Sequence, residues 1–235
     1  MHLAHLRLRD FRNYARLDAD FAPGFHLLVG DNAQGKTSLL EAIYYLATLD
    51  SFHASQDRQL IHFLSAREPL AVARIVAGFE SSGKQHHLEV RIIQETNGYN
   101  GSAHVRKEVL LDEVKLKIND AVGQFKAVLF LPQMLRIIDG APDERRRYLN
   151  LALAQAVPAY ARVLSEYNQA LTQRNALLKA LYERSGDSNQ LQVWDYALVR
   201  LGAQIILWRI QAVQEIERFA SHIHYELTRG TEVLR

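Results

Sequence analysis

The chain of 235 residues contains no cysteine. Disulfide bonds and thiolate metal sites are therefore excluded, and a reducing compartment suits such a chain. Residues 1–7 show no basic segment followed by an apolar run, so they do not have the form of a secretory leader. No window reaches the roughly 18 consecutive apolar residues that a membrane span needs. We therefore expect a soluble, cytoplasmic protein with no membrane partner.

Charge and histidine content exclude little more. The formal net charge is only +2, from 28 basic and 26 acidic residues, and this balance does not by itself predict nucleic-acid binding. The 10 histidines show no metal-ligand spacing, and the neighbours His86 and His87 would point to opposite faces of a strand. An apolar content of 48% supports a sizeable core, in one large domain or two smaller ones.

The strongest functional signal is a Gly-x-x-x-x-Gly-Lys-Thr pattern at residues 30–37. An apolar run at 25–29, short enough for a buried strand, precedes it, and a helical pattern with Leu39, Leu40 and Ile43 follows. Glycines allow the tight turn and the close approach of an anion. Successive backbone N–H groups and the start of the helix then form a positive nest. The predicted ATP-binding residues of this loop are Gly30, Asp31, Asn32, Ala33, Gln34, Gly35, Lys36, Thr37 and Ser38.

The side chains at the end of this loop indicate the ligand. Lys36 is predicted to reach the β- and γ-phosphates, and the hydroxyl of Thr37 to bind Mg²⁺. ATP and Mg²⁺ are therefore the expected cofactors. The structural alternative is a glycine-rich turn that holds no ligand.

Alternating apolar and polar residues predict a sheet in the first part of the chain. Residues 6–9 and 17–21 form a predicted antiparallel hairpin, and the segments 71–79, 87–93, 109–111 and 114–118 continue as a meander, with a turn at 97–101. Residues 128–131 are fully apolar and end at Pro132, which predicts a further strand. The prediction is an antiparallel meander beside the strand and helix of the phosphate-binding loop.

Helical periodicity dominates from residue 136 onward. Pro142 followed by two acidic residues predicts a helix start that continues to about residue 156. Apolar stripes then run from Tyr160 to Leu181 and from Trp194 to Ile223, separated by a turn at 184–189. Two long amphipathic helices with a short connection pack antiparallel, with both tryptophans in the core.

The predicted fold class is mixed α/β. It combines a P-loop nucleotide-binding lobe, residues 1–135, with a helical lobe, residues 136–235, built around a long antiparallel helical hairpin.

Several segments together resemble the RecF family, in the SMC-like branch of the ABC ATPases. The similar segments are Leu6-x-Leu8-x-x-Phe11-Arg12-Asn13-Tyr14, the loop Gly30-x-Asn32-Ala33-x-Gly35-Lys36-Thr37-Ser38, Ser51-Phe52-His53, Ile137-Ile138-x-Gly140-x-Pro142-x-x-Arg145-Arg146, Gln173-Arg174-Asn175 and Trp194-Asp195. The resemblance covers the whole chain, and its ordered set of segments is more specific than the P-loop alone.

The resemblance implies a recombination mediator that acts in DNA replication and repair. In this family ATP would drive formation of a homodimer that closes on single- or double-stranded DNA at gaps. Hydrolysis would reopen the dimer, and RecR and RecO would be partners in loading RecA. It further implies that Arg12 and Asn13 approach the nucleotide; the alternative is a surface turn.

The chain departs from the family pattern at two points. His53 stands where the family usually has arginine. In addition, no Leu-Ser-x-Gly-Gln-like signature follows the P-loop, and no Walker B strand is identified, since the acidic pair Asp112-Glu113 after the apolar run 109–111 is predicted as the turn of a β-ribbon. We therefore expect an N-terminal fragment that binds Mg–ATP weakly, if at all, and has no turnover alone, whereas the full-length dimer would be an ATPase.

Weaker candidates keep two interpretations each. Gln133 lies where ABC proteins place a glutamine that contacts Mg²⁺ and the γ-phosphate, but it is also compatible with an ordinary loop glutamine. The run Arg145, Arg146 and Arg147 would contact DNA phosphates, or it would form a solvated helix face balanced by the neighbouring acids.

Two functions of other classes remain as alternatives. One is a P-loop kinase or GTPase that acts on a small molecule, although no guanine-reading Asn-Lys-x-Asp segment is present. The other is a scaffold with a vestigial P-loop, against which the intact Gly30, Gly35, Lys36 and Thr37 argue.

Overall fold

The structure, a computed structural model, describes residues 1–96, 103–184 and 187–234, without the side chains of Gln133 and Arg184. The chain divides into two compact units, Met1–Met134 and Leu135–Arg235. Each unit has a hydrophobic core of its own.

The first unit contains a six-stranded sheet in which every neighbouring pair of strands is antiparallel. The order across the sheet is β2-β1-β3-β4-β5-β6. The strands are β1 (His2–Phe11), β2 (Tyr14–Asp20), β3 (Leu70–Ser81), β4 (Lys84–Thr96), β5 (Ala103–Leu111) and β6 (Val114–Leu116). The predicted hairpin and meander are thus confirmed.

Two of the strand connections are two-residue turns with positive φ at both positions. Ser82 and Gly83 join β3 to β4 with φ of 52° and 74°, and Asp112 and Glu113 join β5 to β6 with φ of 49° and 69°. This backbone twist matches the right-handed twist of paired strands, so the turns fix the register of the meander.

One face of the sheet forms the core of the first unit. Helix α1 (Lys36–Thr48) buries Tyr45 and Leu46 against it, and Leu8, Ile75 and Val90 of the sheet are fully buried. The predicted end of this helix near residue 48 is confirmed. A one-turn helix, α2 (Ile118–Ala121), and the short 3-10 helices Asp57–Leu60 and Ser65–Arg67 complete the described elements of this unit before Pro132.

Two predicted strands do not form. Residues 25–29 and 128–131 adopt no regular structure, and Phe25, Val29, Val128 and Phe130 expose most of their side chains. The prediction was wrong because an apolar run becomes a strand only where another strand pairs with its backbone, and no described strand does so. The predicted turn at 97–101 lies outside the described residues.

The second unit is helical. After the 3-10 helix Pro132–Leu135 come α3 (Arg136–Asp139), α4 (Pro142–Ala156), α5 (Tyr160–Arg184) and, beyond the 3-10 helix Ser188–Leu191, α6 (Gln192–Leu227). The predicted helix start at Pro142 and the predicted pair of long helices are confirmed. Residues 185 and 186 of the predicted turn lie outside the described part of the chain.

Helices α5 and α6 pack antiparallel around a small core. Leu153, Tyr160 and Ile205 are buried there, and the ring of Trp208 lies 5.7 Å from that of Tyr160. The Tyr160 hydroxyl donates to Asn150 Oδ1 at 2.7 Å, which satisfies this polar group inside the core.

The apolar stripe on α6 was predicted to continue along the core as far as Ile223. Instead, Ile216, Phe219 and Ile223 are about half exposed. Helix α5 has 25 residues and α6 has 36, so the later turns of α6 extend beyond the helix that covers the earlier ones.

Candidate functional site

The phosphate-loop sequence forms a bend that ends directly at a helix. Gly35 is the N-cap of α1 with φ of 99°, a conformation that L side chains rarely adopt, and Leu39 N–H donates to its carbonyl at 2.9 Å. The first turn of the helix carries no acidic residue. The N-terminal N–H groups and the positive end of the helix dipole are therefore available to an anion.

Gly35 also lacks the space for any side chain. A Cβ atom at this position would lie 2.7 Å from the hydroxyl oxygen of Tyr14 and 2.8 Å from Nδ2 of Asn13. The amide of Asn13 in turn donates to the carbonyl of Ala33 at 3.5 Å. Burial raises the pKa of Tyr14, so its phenol stays neutral beside the loop. The turn between β1 and β2 thus packs against the phosphate loop.

Lys36 lies folded over the loop. Its Nζ donates to the carbonyl oxygens of Gly30 and Asp31 at 2.7 and 2.6 Å, and no described carboxylate is within ion-pair distance of it. These are bonds to neutral acceptors, so the positive charge of Lys36 is not neutralised and a phosphate can compete for it. Thr37 is exposed, which leaves its hydroxyl accessible to a cation.

A cavity of about 760 Å³ opens beside this loop. Small-molecule sites have volumes of roughly 300–1,000 Å³, so the space suffices for a nucleotide. Eight of the predicted ligand residues line it: Arg12, Asn13, Asn32, Ala33, Gly35, Lys36, Thr37 and Ser38. Gly30, Asp31 and Gln34 belong to the loop but not to the described lining of the cavity.

Arg12 lines the cavity, but its guanidinium group is engaged by protein groups. Nε and Nη2 donate to the two carboxylate oxygens of Glu41 at 2.7 and 2.6 Å, and Nη1 donates to the carbonyl of Gln59 at 2.9 Å. Glu41 is only 2% exposed and accepts a further short hydrogen bond from the Ser51 hydroxyl. A buried carboxylate with three donors is well satisfied, so this pair joins β1 to α1.

A second wall of the cavity is formed by the segment 53–63, which contributes His53, Gln59, Ile61, His62 and Phe63. None of these residues was predicted from the sequence to contact a ligand. Of them, only His53 drew notice, because it replaces an arginine of the family pattern. Nothing in the spacing of the others signals a site, since tertiary structure brings them to it.

Two interactions from other elements hold this wall segment in place. Lys107 of β5 donates to the Leu49 carbonyl at 3.1 Å and pairs with Asp57 at 3.0 Å. Asp57 also accepts from the buried Tyr45 hydroxyl at 2.9 Å. Burial, together with the negative charge of Asp57, raises the pKa of Tyr45, so it remains a donor at neutral pH.

The remaining predicted residues are not among the described lining of this cavity. Gln133 is in the 3-10 helix Pro132–Leu135, and its side chain is not among those described. Arg145 donates to the carbonyl of Gly140 at 3.1 Å, and Arg146 pairs with Asp143. Arg147 follows on the same helix. Their contact with DNA stays a prediction, as does that of Arg12 and Asn13 with the nucleotide.

Among the residues that the structure describes, no group of three or more His, Asp or Glu side chains is placed to hold a metal ion. None of the described helices combines the length and the apolar character needed to cross a membrane.

Comparison with known proteins gives concordant results. The family model "RecF/RecN/SMC N terminal domain" matches residues 2–199. The DNA replication and repair protein RecF of Chloroflexus aurantiacus is 39% identical over 246 residues, covering 100% of this chain and 62% of the relative. RecF of an Exiguobacterium species is 35% identical, covering 100% and 59%.

Solved structures agree with these relatives. A structure described as the recombination mediator protein RecF with ATP in the RecFOR pathway superposes with a TM-score of 0.83 at 29% identity, over 97% of this chain and 58% of that one. The chain thus spans about three fifths of the length of the RecF proteins it matches. It belongs to the RecF/RecN/SMC N-terminal domain family, and its similarity to RecF proteins extends along its whole length.

Proposed function

We propose that the first unit binds ATP at the cavity beside residues 30–38. The observation that carries this proposal is the loop geometry: a left-handed Gly35 at the start of α1, with the Lys36 charge unneutralised above it. The similar solved structure is of RecF with ATP, which adds independent support.

The residues fit the chemistry of a nucleoside triphosphate with Mg²⁺. The N–H groups at the start of α1 and Lys36 would hold the phosphates, and the exposed Thr37 hydroxyl would be a ligand for the cation. Mg²⁺ would supply charge neutralisation of the phosphates when bound. No Leu-Ser-x-Gly-Gln-like signature follows the P-loop in the 235 residues, and the acidic pair Asp112-Glu113 forms the turn between β5 and β6 and does not line the cavity, so we expect no turnover by this chain alone.

The proposed role of the complete protein is that of a RecF-type recombination mediator. It would bind single- and double-stranded DNA at gaps, dimerise when ATP is bound, and act with RecR and RecO to load RecA in the cytoplasm. The support is the identity of 39% and 35% to proteins named for DNA replication and repair, and the structure named for the RecFOR pathway. The candidate DNA contacts Arg145, Arg146 and Arg147 belong to this proposal.

A titration with nucleotides tests the proposed site. Thermal unfolding is followed with ATP, GTP and inorganic tripolyphosphate, each with Mg²⁺. We expect ATP to raise the midpoint and Lys36→Ala to abolish most of this shift, because it removes the positive charge that no described carboxylate neutralises beside the loop. The matched control is Lys115→Ala, an exposed lysine on β6 of the same unit.

The outcomes separate the candidate functions. Stabilisation by ATP that Lys36→Ala removes supports the proposal, and a preference for GTP would favour a GTPase instead. No stabilisation by any of the three phosphates would favour the vestigial scaffold. Steady-state turnover that depends on Lys36 would contradict the expected inactivity of the chain alone.

A further inference from the structure

The solvent-facing side of the sheet carries arginines that lie directly opposite each other on four neighbouring strands. In the strand register, Arg16 of β2 lies opposite Arg9 of β1. Arg9 in turn lies opposite Arg74 of β3, and Arg74 lies opposite Arg91 of β4. We call these four residues the arginine row. Directly paired residues project to the same face, opposite to the buried Leu8 and Ile75. With strands about 4.8 Å apart, the row is roughly 14 Å long.

This arrangement opposes folding unless something else compensates for it. Like charges placed directly opposite on neighbouring strands destabilise a sheet. Compensation in the described residues is uneven. Arg74 and Arg91 share the carboxylate of Glu89, with Arg74 Nε at 2.8 Å from it, and Arg91 also lies 3.9 Å from Glu108. Half of the row is therefore partly neutralised.

The other half of the row is not neutralised. Arg9 and Arg16 are exposed, and the described residues provide no ion pair for either. The next cross-strand pair on the same face of these two strands gives the contrast, because there Arg7 forms an ion pair with Asp18 at 2.9 Å. The described chain thus supplies a carboxylate to one cross-strand pair and none to the adjacent one.

We propose that the arginine row is a contact surface for the phosphodiester backbone of nucleic acid, with Arg9 and Arg16 as its principal contacts. The planar guanidinium group donates two parallel hydrogen bonds to a phosphate. On one side of the row, the neighbouring residues Asp18, Arg7, Val76 and Glu89 carry no aromatic ring. On the other side, Phe11 is fully buried and Tyr14 packs against Gly35, so neither ring is available for a base to stack on. The contact is therefore with the backbone and independent of base sequence.

This inference rests on the DNA binding in the proposed function and names a surface for it. The surface differs from the run Arg145–Arg147, which lies in the second unit. It also differs from the nucleotide cavity, which none of the four arginines lines.

The test is the salt dependence of binding, measured with the chain of 235 residues by fluorescence anisotropy. The probes are a labelled 30-nucleotide single strand and a duplex of the same length. Each arginine that neutralises a phosphate contributes about 0.7 to the slope of log affinity against log salt for a single strand, and about 0.9 for a duplex. The double variant Arg9→Gln with Arg16→Gln should lower the single-strand slope by about 1.4. Between about 50 and 200 mM salt, the affinity of the double variant should therefore fall by a factor that is roughly sevenfold smaller than the factor for the wild type.

Two controls accompany the double variant. Arg162→Gln with Arg200→Gln removes two exposed arginines from α5 and α6 and should leave the slope unchanged. The thermal midpoint of the double variant should stay the same or rise, since two opposed like charges are removed.

The outcomes are decisive in both directions. A wild-type slope in the double variant would overturn the proposal while leaving DNA binding elsewhere, and hence the proposed function, intact. If the wild-type chain binds neither probe, the proposal that the arginine row contacts nucleic acid is overturned, whether or not the chain binds ATP. If polyglutamate of equal charge displaces the oligonucleotide, the arginine row binds acidic polymers in general. This result would also overturn the proposal that the row is a contact surface for nucleic acid.

Discussion

Replacing Arg12 by alanine distinguishes a structural arginine from one that contacts the ligand. Glu41, at 2% exposure, would lose two of its three donors and keep only the Ser51 hydroxyl. Removing one partner of a buried ion pair costs about 3–5 kcal/mol, because the remaining charge stays desolvated. The Arg12 side chain is 22% exposed, so water can reach part of the gap, and we expect the lower end, about 3 kcal/mol. At about 2–4 °C per kcal/mol, the thermal midpoint would fall by roughly 6–12 °C.

The assay is urea denaturation followed by circular dichroism, which gives the free energy of unfolding together with its denaturant slope. The control is Arg7→Ala, which breaks the more exposed pair with Asp18 and should cost less than about 1 kcal/mol. Arg12→Met combined with Glu41→Leu should recover most of the loss, because no charge then remains buried. An Arg12→Ala variant with unchanged stability that no longer binds ATP would refute this reasoning and make Arg12 a ligand contact.

Two further predictions concern the phosphate loop and the sheet. Gly35→Ala should cost about 1–3 kcal/mol in backbone strain and displace the Tyr14 hydroxyl, so that the ATP-induced thermal shift is mostly lost; a full shift would contradict the loop geometry. Burial opposes a low pKa for Glu89, but donation from Arg91 and Arg74 outweighs it and holds the pKa below its usual 4.5. Glu89 therefore contributes stability that is present above about pH 4.5 and lost as the pH falls through its lowered pKa. Glu89→Gln should be less stable than the wild type at pH 7, with the difference shrinking in acid; a constant difference from pH 7 to pH 3 would count against the shared carboxylate.

Local patterns predicted most of the fold. The alternation at residues 6–9 and 87–93, and the helical stripe that begins at Tyr160, depend only on which face is buried, so sequence periodicity indicates them directly. The segments 25–29 and 128–131 were predicted wrongly for a different reason. Their composition meets the requirement for a buried strand, but strand formation also needs a hydrogen-bonding neighbour, which periodicity does not specify.

The candidate site could be predicted only in part. The loop from Gly30 to Ser38 follows from a fixed local spacing, because the glycines and the lysine act through the adjacent backbone. The ion pair between Arg12 and Glu41 links residues that are 29 positions apart in the sequence, and no sequence periodicity relates them. The arginine row likewise could not be predicted from the sequence, because it depends on the register of four strands rather than on any run of basic residues.

The contact between Gly35 and the side chains of Asn13 and Tyr14 has a consequence for how the chain tolerates insertions. A Cβ atom at Gly35 would lie 2.7 Å from the Tyr14 hydroxyl and 2.8 Å from the Asn13 amide, so the tip of the first hairpin packs closely against the loop. Lengthening the hairpin tip by even one residue would move Tyr14 out of its place and leave the bend unsupported. Surface turns usually accept insertions readily, but the first turn of this chain packs against the proposed phosphate-binding loop.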